Sequence, residues 1–148
     1  MIAENEILDA VNRLLVEHWP DRTVYCNAIP QEFTRESFAL LESFYKVEDG
    51  GPDCVEITAG YTILGYLPPD KRGNVDRLGL GILLRDMQDL FRGGYLPVSD
   101  RALRVTECSG SIEEGAAFLD LQLSFYDDRE HPKEKPRMKQ VFIRNETE

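Results

Sequence analysis

The chain has 148 residues, with 17 Lys and Arg against 27 Asp and Glu, a formal net charge of −10 and a 42% hydrophobic fraction. That length suits one ordinary domain able to bury a core without staples, and the apolar fraction excludes a wholly disordered chain. The acid excess argues against tight, sequence-independent binding to a phosphate backbone, and no apolar run approaches the roughly 18 residues of a membrane span. Cys26, Cys54 and Cys108 show neither C-x-x-C nor metal-ligand spacing and read as small buried hydrophobes or indifferent thiols of a reducing compartment. Met1 is followed by Ile2, Ala3 and Glu4, without the basic and long apolar regions of an export signal.

Ile7, Leu8, Val11, Leu14 and Leu15 form one apolar stripe at helical spacing, with Glu4, Glu6, Asp9, Asn12, Arg13 and Glu17 on the wet side. Trp19-Pro20 ends this helix, because the residue before a proline is pushed out of the α region. Thr23-Val24-Tyr25-Cys26 follows as a short strand, and Pro30 to Glu36 as a loop. Ser37 to Val47 is apolar on both faces in its first half, as in a strand covered on both sides or bent by a bulge. Glu48 to Asp53 has turn composition. Val55, Ile57, Ala59, Tyr61 and Ile63 then alternate with Glu56, Thr58, Gly60, Thr62 and Leu64, so the two runs read as a hairpin.

Leu67 to Gly73 is a linker that breaks the sheet, and Asn74 is the expected N-cap of a second helix running to about Phe91. Leu80, Leu83, Leu84, Met87 and Phe91 fall on one face of it. Gly79 and Gly81 inside that helix imply a frayed first turn or close packing on the sheet, and Gly93-Gly94 supplies the stop. A second hairpin follows. Leu103 and Val105 alternate with Arg104 and Thr106, Glu113-Glu114-Gly115 turns the chain, and Ala117, Leu119, Leu121, Leu123 and Phe125 alternate with Phe118, Asp120, Gln122, Ser124 and Tyr126.

From Asp127 onward the chain holds six acids, six bases and two prolines, so the whole net charge belongs to residues 1–126. Val141-Phe142-Ile143-Arg144 could form a short strand, but so polar an end has little to bury. The expected architecture is α+β: two helices packed on one face of a mainly antiparallel sheet built from two hairpins, residues 1–128, followed by a polar tail, residues 129–148. The hairpin borders would be either guarded or used for pairing with another chain.

No catalytic constellation stands out. The acids are spread over loops and wet faces, and His18 and His131 have no Ser, Cys or second His at a useful spacing. Gly79-Leu80-Gly81 lacks the setting of a dinucleotide loop. Lys133, Lys135, Arg137 and Lys139 are interleaved with acids, as in a solvated tail or a docking arm that orders on a partner. No catalytic, cofactor or metal residue is therefore assigned.

The pattern as a whole resembles the tail terminator proteins of tailed phages and prophage elements. The likeness is carried over about residues 5–128 by the element order and by two phrases, Asn27-x-Ile29-x-Gln31-x-Phe33 and Phe125-Tyr126-Asp127. The resemblance implies a non-enzymatic structural protein, present in the bacterial host cytoplasm during assembly and then in the virion tail. It implies a hexameric ring on the head-proximal end of the tail tube that stops tube growth and meets the head connector. The implied partners are copies of itself, the tube protein and the connector, with no cofactor, no sequence-specific nucleic acid and no membrane. Candidate contacts are Glu48, Asp49 and Asp53 of the first turn, Pro68, Asp70, Lys71 and Arg72 of the linker, and Lys133, Lys135, Arg137 and Phe142 of the tail. Solvated loops remain the plain alternative for each. Another neck or tail-tube assembly protein is the second reading, and a small enzyme or ligand-binding module the third.

Overall fold

Residues 4–30 and 36–128 are described by the computed structural model. Its elements are α1 (Glu4–His18), β1 (Thr23–Cys26), β2 (Ser37–Asp49), β3 (Cys54–Tyr66), α2 (Arg77–Asp89), β4 (Tyr95–Val98), β5 (Arg101–Glu113) and β6 (Ala116–Asp128). All six strands belong to one sheet of order β1-β2-β3-β6-β5-β4. The expected hairpins are β2–β3 and β5–β6, and the antiparallel pairing of β3 with β6 along their full lengths fuses them.

The expected two-layer arrangement is corrected by the structure. The chain is mostly sheet, 50% strand against 23% helix, and the sheet curls into a half-barrel. Two short strands extend it beyond the hairpins: β1 pairs parallel to the start of β2, and β4 pairs with the start of β5. The curl follows from where α1 rests. Its apolar stripe, Ile7, Val11 and Leu15, is fully buried, and the helix packs against β1 and β2 at one border of the sheet and against β4 at the other. A flat sheet could not bring both borders to one helix. α2 covers β3, β6 and β5 instead.

Strand β4 went unread in the sequence because it is four residues long and contains Pro97, too short for a period and placed where an edge strand tolerates proline. Two bulges, between Glu42 and Phe44 in β2 and between Val105 and Glu107 in β5, shift the register. In β5 the shift moves the inward side from Leu103 and Val105 to Cys108 and Ile112, which pack against the core. The N-cap of α2 is Asp76, whose Oδ1 accepts from the Leu78 N–H at 3.1 Å. Asn74 instead donates its N–H to Asp70 Oδ1 within the preceding turn. Glu48 and Asp49 belong to β2, so the turn is shorter than its composition suggested.

α2 lies close on the sheet because two strand positions beneath it lack side chains. A Cβ at Gly65 would stand 2.8 Å from Leu83, and one at Gly110 2.7 Å from Leu84. Within the helix, Gly79 is the tight position, with Leu67 at 3.2 Å from a Cβ built there, whereas Gly81 meets Ile112 only at 3.9 Å.

Candidate assembly surfaces

Asn27 decides how far the first border of the sheet is covered. It turns out of β1 at a φ of 60°, a left-handed conformation that asparagine tolerates better than most residues. Its N–H donates to the Leu40 carbonyl at 2.8 Å, and its Oδ1 accepts from the Glu42 N–H at 3.1 Å. The side chain thus extends the ladder by one rung as β1 stops. Beyond it, no described strand pairs with the outer border of β2. On the far side, β4 pairs only with Arg101 to Arg104 of β5, and no described strand runs along Thr106 to Glu113. The two open stretches lie at diagonally opposite corners of the sheet.

Phe125-Tyr126-Asp127 forms the second distinctive site, at the end of β6. Arg101, which opens β5, reaches the Asp127 carboxylate, donates to the Tyr126 carbonyl and lies 5.6 Å from the centre of the Phe125 ring. All three residues of the phrase therefore hold one arginine that closes the end of the sheet.

The structure does not bring the sequence-predicted contacts together. Glu48, Asp49 and Asp53 lie at the β2–β3 turn, and Pro68, Asp70, Lys71 and Arg72 lie past the opposite end of β3. A 13-residue strand separates them by about 40 Å. Two of these acids shape their own turns: Asp49 accepts from the Gly51 N–H, and Asp70 from the N–H groups of Arg72 and Asn74. Lys133, Lys135, Arg137, Phe142 and the expected strand Val141 to Arg144 lie outside the described residues, as does His131. His18 packs edge-on to Trp19, with ring centres 4.4 Å apart.

Sequence reasoning missed the outer face of α2. Leu78 and Ile82 stand off the core stripe, 75% and 55% exposed. With Arg77, Gly81, Arg85 and Ile112 they line an open hollow of about 370 Å³. Their i, i+4 spacing was a legible signal, a second apolar stripe on a helix whose first stripe already fills the core. Phe44 of β2 and Tyr126 of β6 are exposed as well.

The thiols are poorly placed for chemistry. Burial pushes the pKa of Cys26 upward, with Asp9 adding to it, and burial alone raises that of Cys108. A raised thiol pKa depletes the nucleophilic thiolate at neutral pH.

Among the described residues, the sheet leaves one stretch of each border without a paired strand, and large apolar side chains are exposed near both ends. The family model described as phage tail terminator protein matches residues 6–135, and the chain belongs to that family, a structural one of the phage tail. The match runs from α1 through the whole sheet and ends inside the polar tail. The search of curated proteins gives no match. Among the solved chains that match, one is similar at 15% identity and a TM-score of 0.48, with 90% of this chain and 100% of that chain covered.

Proposed function

We propose that the chain caps the head-proximal end of the tail tube as a hexameric ring, stops tube polymerisation and presents the surface that joins the head connector. The observation that supports this reading most is the diagonal placement of the open borders of β2 and β5. A ring needs a heterologous interface, in which one patch of a subunit meets a different patch of the next. Two different sheet borders at opposite corners supply such a pair, whereas a self-matching border would stop at a dimer. An acidic ring would also let DNA pass without adhesion, since like charge repels phosphates. In this reading residues 1–128 are the folded ring unit, residues 129–148 are a docking arm, and the ring forms in the host cytoplasm before joining the virion.

Mass measurement on the purified chain tests the ring, alone and with polymerising tube protein. A hexamer, or a monomer that becomes hexameric on tube ends and shortens the tubes, is the expected result. A chain that neither oligomerises nor alters tube length contradicts it. Tubes of normal length that then fail to join heads would favour a neck protein.

A further inference from the structure

Leu80, Leu83 and Met87 of α2 face the core, while Leu78 and Ile82 face away. Arg77 and Arg85 flank these two, and among the described residues no acid lines the hollow they share with Ile112. The nearby Asp76 directs its Oδ1 to the Leu78 N–H, and among the described residues neither arginine has an ion-pair partner. The surface is apolar and rimmed by cations, in a chain of net charge −10. Its complement should be apolar and acidic.

That complement exists on the same chain. Glu48 of β2 stands directly across from Glu56 of β3, and Glu56 across from Tyr126 of β6. Like charges placed opposite each other on a sheet cost stability. Lys46, 3.4 Å from Glu48, offsets part of that repulsion. Exposed Phe44 lies on the same face of β2, four residues before Glu48. Two glutamates flanked by two exposed aromatic rings form a surface suited to arginines, which can pair with carboxylates and lie over a ring.

We propose that the outer face of α2 on one copy docks on the β2–β3 hairpin face of the next copy. Arg77 and Arg85 meet Glu48 and Glu56, and Leu78 and Ile82 cover Phe44 and Tyr126. The occupant is a second copy because both halves of the match belong to this chain. They cannot meet within one chain, since the register separates Glu56 from the Ile112 level of the sheet by nine positions of β3, about 30 Å. The inference deepens the ring reading and rests on its premise that copies associate.

Charge reversal tests it. The full-length chain and two variants, Arg85→Glu and Glu48→Arg, are compared by sedimentation equilibrium at up to about 1 mM protein and at about 50 and 500 mM salt. Both positions are exposed, and circular dichroism checks that each variant is folded. The wild-type chain should associate, more weakly at high salt, and each variant should associate about tenfold more weakly. An equimolar mixture of the two variants should recover association, because each contact then joins opposite charges. Variants that associate like the wild type, or a mixture that fails to recover, overturn this pairing while the ring reading stands. A wild-type chain that stays monomeric throughout overturns this pairing, whereas the ring reading, which admits a ring formed only on tube ends, falls only if tube length is also unchanged.

Discussion

Arg101 Nη1 lies 3.5 Å from Asp127 Oδ1, and the Asp127 side chain is only 3% exposed. Removing the arginine leaves a buried carboxylate with weaker compensation and frees the Tyr126 carbonyl. Arg101→Met should therefore cost about 2 to 4 kcal/mol of unfolding free energy, measured by urea denaturation. Arg101→Lys should recover part of that loss, since it restores charge but not the two-armed geometry.

Asn27 combines a left-handed backbone with a side-chain rung to Glu42. Asn27→Ala loses both advantages and should destabilise by about 1 to 2 kcal/mol. Asn27→Asp keeps the acceptor and should stay within about 0.5 kcal/mol of the wild type. Amide hydrogen exchange at Glu42 reports the rung directly, and it should accelerate in the alanine variant only.

Gly110 and Leu84 should be strongly coupled. Gly110→Ala drives a methyl group against Leu84 and should cost about 1 to 3 kcal/mol. In the background Leu84→Ala the same change should cost much less, a non-additivity of about 1 kcal/mol in a double-mutant cycle of thermal unfolding. Full additivity would mean that α2 does not rest on Gly110.

Cys26 is exposed, yet its raised pKa predicts slow alkylation at neutral pH, with the rate climbing as pH rises through and beyond the usual thiol range. Asp9→Asn removes one cause of the shift and should move that profile to lower pH. The folded chain holds this proton more tightly than the unfolded chain does. Stability should therefore be unaffected below the thiol range and fall as pH rises through it, which denaturation in alkaline buffers can follow.

The period-two and helical patterns were strong enough to reveal α1, α2 and both long hairpins. Their stripes bury one face each, and burial of that kind is a local property of sequence. The curl was not legible, because it depends on α1 touching β4, a contact between segments about 80 residues apart in sequence. Asn27 and Asp127 were visible only as members of the two phrases that carry the resemblance. Their roles, a rung to Glu42 and an anchor for Arg101, depend on partners 15 and 26 residues away. Asp49 and Asp70, expected contact residues by loop composition, also hold their own turns, a local role that composition does not distinguish from a contact. Leu78 and Ile82 lie at i, i+4 beside the core stripe of α2, a spacing that marks them as a pair without showing that they face outward.

Tail length in the absence of this gene product tests the central claim most directly. Deleting the gene from its phage or element and measuring tails by electron microscopy should give overlong tubes of widely varying length, corrected when the intact chain is supplied in trans. Tails of uniform, normal length in the deletion strain would contradict a terminating role.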